Sequence, residues 1–179
     1  MKNRCIIFLL TIILSVTVFG ALNQNARENT AQTQSYLRIH IRAHSNDDGA
    51  QAVKYLVRDA VVEYLTPIVA ECETKEKAAH QMQASLNDIE RVSNGVLQAY
   101  GLSYLARASM RREVFPTRVY GEYTLPAGEY TALIIELGEG RGDNWWCVVY
   151  PPLCFAAPAN KNVIYKSKII EIIERWKNG

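Results

Sequence analysis

The spacing of apolar residues changes period along this chain, and that switch constrains the fold more than any other feature. Between Ala50 and Tyr100 apolar side chains recur every three to four residues; from Tyr104 to Tyr150 they recur every second residue. The first period buries one stripe of a helix, the second one face of a strand. Ahead of both, Leu37-Arg38-Ile39-His40-Ile41-Arg42-Ala43-His44 alternates strictly. It predicts a half-buried strand with Leu37, Ile39, Ile41 and Ala43 facing inward. Helices and strands are thus grouped, which predicts an α+β fold: an antiparallel sheet of about five strands packed with two to three helices.

Within that frame, Ser45-Asn46-Asp47-Asp48 supplies capping oxygens and acids for a first helix. Its stripe is Ala50, Val53, Val57, Ala60, Val61, Tyr64, Leu65 and Ile68, and Pro67 predicts a kink or break late in it. A second helix is expected from Thr74, with Ala78, Met82, Leu86, Ile89, Val96 and Tyr100 on one side and Gly101 ending it. Strands are expected over 104–115, 118–124, 130–137 and 145–150, with a turn at Pro126-Ala127-Gly128. Ile169, Ile172, Ile173 and Trp176 predict a closing amphipathic helix over 163–176.

Charge and hydropathy divide the chain further. Lys2 and Arg4 precede an uncharged, mostly apolar run from Cys5 to Leu22, the pattern of an export signal or a membrane anchor. Residues 1–22 are therefore expected to be a signal or anchor segment, with Val18-Phe19-Gly20 as a weak cleavage site. Residues 23–35, polar and without period, read as a flexible linker, and 36–179 as a single domain. Lysine and arginine total 20 against 18 acids; Lys2 and Arg4 account for the whole surplus (20 − 2 = 18), so the exported part is formally neutral. A nucleic-acid binder needs a basic face, so no nucleic-acid partner is expected.

Several segments carry a family resemblance. Leu37 to Asn46, then Gln51 to Ala60, then Phe115-Pro116-Thr117-Arg118 and Leu125-Pro126-Ala127-Gly128-Glu129-Tyr130 resemble the stage II sporulation protein R family. The most specific stretch is Gly138-Glu139-Gly140-Arg141-Gly142-Asp143-Asn144-Trp145-Trp146-Cys147, followed by Tyr150-Pro151-Pro152-Leu153-Cys154. One departure is His44-Ser45-Asn46, where the family pattern is closer to Asn-Ser-Asp. The resemblance implies a signalling protein made in the forespore and secreted into the intermembrane space of the septum. Its implied partner is a membrane-embedded aspartic protease, the peptidase that processes a mother-cell sigma factor precursor.

The reactive side chains give a thinner signal. His40 and His44 share a strand face about 13 Å apart by strand rise, too far for one metal, and read as polar-face residues. Cys147 and Cys154 flank Pro151-Pro152 and form either a disulfide or two buried free thiols; Cys72 reads as a small apolar residue. An enzyme would need one of these sulfurs beside His40, His44 or His80, and no local signature pairs them. The alternative reading is accordingly a cell-envelope enzyme with a Cys/His site acting on peptide or peptidoglycan. The first reading has no catalytic residue, metal or cofactor. The glycine-rich loop joins two strands and carries Glu139 and Asp143, which would repel phosphate; it reads as a mobile hairpin loop. Trp145 and Trp146 point to opposite faces. Gly140, Arg141, Gly142, Asp143, Asn144, Trp145 and Trp146 are the candidate partner-binding residues, and Arg111, Arg112 and Arg118 read as a solvated strand face.

Overall fold

The computed structural model describes residues 12–19, 33–121 and 123–155. The expected closing helix over 163–176 lies outside the described residues, as do most of the expected leader and linker. Residues 12–19 form a helix, α1, with exposed side chains. Among the described residues no helix is long and apolar enough to cross a membrane.

The remaining elements run in the order β1 (Leu37–Arg42), α2 (Asp48–Ala70), α3 (Lys75–Ala84), α4 (Leu86–Ala99), β2 (Ala106–Phe115), β3 (Arg118–Tyr120), β4 (Tyr123–Leu125), β5 (Gly128–Leu137) and β6 (Asn144–Tyr150), closed by a 3-10 turn at Leu153–Phe155. The architecture is α+β. The main sheet has the order β2-β5-β1-β6, and β3 and β4 pair separately as a hairpin.

The expectation of an antiparallel sheet is corrected at one pair. β1 runs parallel to β5, with Leu37 opposite Thr131 and Ile41 opposite Ile135, while β2–β5 and β1–β6 are antiparallel. The reason is connectivity. A parallel neighbour needs a long crossover, and α2, α3, α4 and the β2–β4 segment intervene between β1 and β5. β1 thereby slots between β5 and β6, so the loop joining those two strands must pass over the end of β1.

The helices cover one face. Val53, Val57, Val61, Leu65 and Val69 of α2 form one apolar core with Leu37, Ile39 and Ile41 of β1, Leu133, Ile135 and Leu137 of β5, and Cys147 and Val149 of β6. Burying each such side chain contributes roughly 1.5–3 kcal/mol. Asp47 caps α2 by accepting from the Ala50 N–H at 2.8 Å. Pro67 neither ends nor breaks this helix, which continues to Ala70. The single helix expected after Thr74 is instead two, because Ser85 leaves helical geometry at ψ 2° and serves as the end of α3 and the cap of α4.

The opposite face of the sheet is also covered. A second cluster of Tyr36, Phe115, Leu125, Tyr130, Ala132, Ile134 and Val148 lies there, with Tyr120, Tyr123 and Trp146 packed against it. β1 is consequently buried on both faces rather than half-buried, and Arg38 and His40 lie inside at 0% and 3% exposure.

Candidate functional site

Two of the segments that carry the family resemblance, residues 37–46 and 138–147, meet where the β5–β6 loop crosses the end of β1. The loop is tied down by its backbone, contrary to the expectation of a mobile hairpin. Gly142 N–H donates to Ala43 C=O at 2.9 Å and Arg141 N–H to His44 C=O at 3.3 Å. Side chains hold the remainder: Glu139 N–H donates to His44 Nδ1 at 3.1 Å, and Asp143 N–H to Asn46 Oδ1 at 2.5 Å. From the second turn of α2, Lys54 Nζ reaches Asp143 C=O at 3.0 Å and Gln51 Oε1 at 2.6 Å. Lys54 is 1% exposed, and that burial lowers its pKa below the ordinary lysine value. His44 is braced by stacking on Tyr104, ring centroids 4.4 Å apart. The segment 44–46 therefore anchors the loop, while the helix cap falls to Asp47.

Gly142 has no room for a side chain. A Cβ there would run into the Ser45 carbonyl and lie 2.9 Å from Ala43 Cβ. Gly138 and Gly140 adopt φ 57° and 61°, where glycine is strongly favoured. The fixed backbone leaves the Arg141 and Glu139 side chains 79% and 55% exposed, paired at 3.1 Å, with Asp143 and Asn144 exposed beside them.

Trp145 and Trp146 anchor the loop on opposite faces of β6. Trp145 packs against the helical core, with the Arg58 guanidinium 5.8 Å from its ring centroid. Trp146 enters the second cluster under the Arg118 guanidinium, 4.0 Å away, so Arg118 is not simply solvated. Cys147 and Cys154 are joined by a disulfide. A loop this short contributes roughly 2–3 kcal/mol by chain closure. Cys154 Sγ also accepts from the Val148 N–H at 2.9 Å, which covers the outer edge of β6.

Beneath the loop lies a charge network that alternation alone misplaced on a solvated face. His40 Nδ1–H donates to Glu113 Oε1 at 2.6 Å, and Arg42 reaches Glu113 at 2.7 Å and Glu136 at 2.9 Å. Arg111 lies 3.1 Å from Glu136 and 3.2 Å from Glu113. Burial holds His40 below the usual histidine pKa, outweighing the bonds that favour its charged form. Glu113 is pulled up by burial, but bonds from Arg42 and His40 leave its carboxyl below the ordinary value. Unfolded histidine therefore takes up a proton as pH falls through about 6.5 while folded His40 stays neutral, so stability is lost below that pH. Loss of the Glu113 contribution follows below about pH 4.5. Urea unfolding at pH 5.5 is expected to show about 1 kcal/mol less stability than at pH 7.5. His40→Gln, which keeps a donor for Glu113, should remove most of that difference; an unchanged difference would exclude His40 as its source.

The thiol and histidine that come nearest to a chemical site lie elsewhere. A cavity of about 440 Å³ at the end of α2 and along α3 is lined by residues including Cys72, Lys77 and His80. Cys72 is 3% exposed, its thiol donates to Ile68 C=O at 3.2 Å, and burial raises its pKa. It is thus held as a thiol, the poor nucleophile of the two protonation states. Among the described residues no group of three or more His, Cys, Asp or Glu side chains gathers as a metal site.

The family described as Stage II sporulation protein R matches this chain over residues 33–160. A curated relative, Stage II sporulation protein R of Bacillus subtilis (strain 168), is 34% identical over 167 residues, covering 86% of this chain and 75% of the relative. No solved structure matches.

Proposed function

The chain belongs to the stage II sporulation protein R family, and from that premise we propose that it is a secreted sporulation signal. In this reading it is made in the forespore, exported into the space between the two septal membranes, and activates a membrane-embedded aspartic protease there. The protease then cleaves the inactive precursor of a mother-cell sigma factor. The chain acts by binding: it holds the protease in its active state through a differential affinity for that state.

One observation carries the reading to this surface. The segment Gly140, Arg141, Gly142, Asp143, Asn144, Trp145, Trp146 is fixed by backbone bonds, rooted in both cores by its tryptophans, and topped by exposed charged side chains. A pre-ordered loop loses little entropy on docking. We assign the protease contact to its crest, with Arg141 and Glu139 presented outward. The Cys/His alternative finds less support, since Cys147 and Cys154 occupy each other and Cys72 is buried with a raised pKa.

The test is co-production of the exported chain with the protease and the precursor in a host without sporulation genes. Precursor cleavage should require this chain and fall at least tenfold with Glu139→Ala plus Arg141→Ala, the thermal unfolding midpoint being unchanged. Equal cleavage without the chain would refute the activator role. Undiminished cleavage with the double substitution would remove this crest from the contact.

A further inference from the structure

Arg42, Arg111 and Arg112 are all paired with carboxylates of this chain. Arg38, beneath the β3–β4 hairpin, and Arg118, within it, are not. Among the described residues neither guanidinium has an acidic partner.

The two cations share one neighbourhood. Arg38 is fully buried, and its Nε and Nη1 donate to nothing among the described residues. Its Nη2 donates to the Tyr120 hydroxyl, which leaves that hydroxyl's own proton for another acceptor. Arg118 lies 4.0 Å from the centroid of the Trp146 ring, and Trp146 Nε1–H is buried without an acceptor. Phe115 joins the two sides: its ring centroid is 4.2 Å from the Arg38 guanidinium carbon and 6.3 Å from the Trp146 centroid. Burial raises the Tyr120 pKa while the charges of Arg38 and Arg118 both oppose that rise, so one hydroxyl feels both cations.

The chemistry of this cluster is one-sided. Arg38, Arg118, Trp146 and Tyr120 all offer donors. His40 Nε2 is also bare, but its ring gives Nδ1–H to Glu113, so Nε2 is an acceptor and offers an anion nothing. Buried donors are nearly always satisfied, and a buried cation without a counter-charge is costly. What is missing is therefore an anion. The planar guanidinium matches the two oxygens of a carboxylate, and one negative charge neutralises the one buried positive charge. We propose that Arg38, Trp146 and Arg118 form a binding site for a carboxylate, held by Arg38 and flanked on the surface side by Arg118. The site goes beyond the activator reading and does not depend on it.

A carboxylate can come from a small free acid or from an acidic side chain of a partner protein, and the test separates the two. The full chain is titrated with sodium acetate at fixed ionic strength while the Trp146 indole N–H is followed by nitrogen–proton NMR. That resonance should move and saturate. Neutral acetamide, the same shape without the charge, should leave it in place. The blocked tripeptide Gly-Glu-Gly is the second arm. Tighter binding than acetate assigns the site to a protein side chain, and weaker binding assigns it to a small free acid; the site stands in both cases.

Arg38→Met keeps most of the volume and should weaken acetate binding roughly tenfold or more, the equivalent of one charge-assisted hydrogen bond. Arg118→Gln, an exposed change, should weaken it roughly threefold, the effect of a solvated charge. Glu122→Gln asks whether the chain fills the site itself, since Glu122 falls between Gly121 and Tyr123. The proposal is overturned if the indole resonance ignores acetate, if acetamide moves it equally, if either arginine variant, folded, binds acetate undiminished, or if acetate binds only to Glu122→Gln.

Discussion

Gly142→Val is expected to destabilise the protein by about 3 kcal/mol and to detach the β5–β6 loop from the end of β1. Most glycine substitutions are tolerated by a shift of some flexible neighbour, but this one meets the Ser45 carbonyl, which is backbone, and Ala43 Cβ within 2.9 Å. Ala43 and Ser45 are themselves fixed, one buried at the end of β1 and the other leading into the α2 cap. The loop must therefore lift, breaking Gly142 N–H to Ala43 C=O and stranding Lys54, whose buried ammonium loses the Asp143 carbonyl. Urea unfolding measures the loss, and exchange of the Asp143 amide reports the detachment. Gly95→Ala is the control: a Cβ there meets nothing within 4 Å, and alanine in a helix interior gains roughly 0.5–1 kcal/mol over glycine. Equal midpoints for Gly142→Val and wild type would show that the loop is not pinned as described.

The second large effect concerns the buried cation of β1. Arg38 is fully buried, with its guanidinium carbon 4.2 Å from the Phe115 ring centroid, 4.9 Å from Tyr130 and 5.6 Å from Tyr120. Its Nη2 donates to the Tyr120 hydroxyl at 2.5 Å, whereas Nε and Nη1 have no partner among the described residues. Burial pulls its pKa below the ordinary arginine value. Volume and charge thus act in opposite directions. Arg38→Ala leaves a cavity under the β3–β4 hairpin and should cost about 3 kcal/mol. Arg38→Met retains most of the volume and removes an incompletely satisfied charge, so it should fall within about 1 kcal/mol of wild type or exceed it. Urea unfolding of both variants decides the matter; equal losses would mean that the aromatic contacts to the cation dominate.

Much of the helical side of this fold is legible in the chain. Period and capping residues identify α2, and alternation identifies β1, β2, β5 and β6 and the α+β class. Strand parity also sends Trp145 and Trp146 to opposite faces, as the two clusters require. Sheet order is less accessible, because period assigns faces but not neighbours, and nothing local to Thr131 or Leu133 announces a parallel partner in β1. The burial of Arg38 and His40 is hidden for a related reason. Alternation with apolar residues reads as solvent exposure, and the rings that enclose these two come from Phe115, Tyr120, Tyr130 and Trp146, far away in the chain. A signal did exist: the aromatics between residues 115 and 130 are too many for a one-sided sheet.

The candidate loop was visible as composition but not as geometry. Glycine richness suggested mobility, whereas the glycines are there because Gly142 passes against Ser45 and because Gly138 and Gly140 turn with positive φ. The anchors His44, Asn46 and Lys54 could be found only once β1 was known to sit between β5 and β6.

The central claim is that this chain activates by binding and performs no chemistry of its own. Its most direct test is precursor cleavage supported by Cys72→Ala plus His80→Ala, which strips the cavity at the end of α2 of its thiol and imidazole. The account predicts cleavage within twofold of wild type from a folded, exported protein. Loss of cleavage by that variant, with folding and export intact, would contradict it.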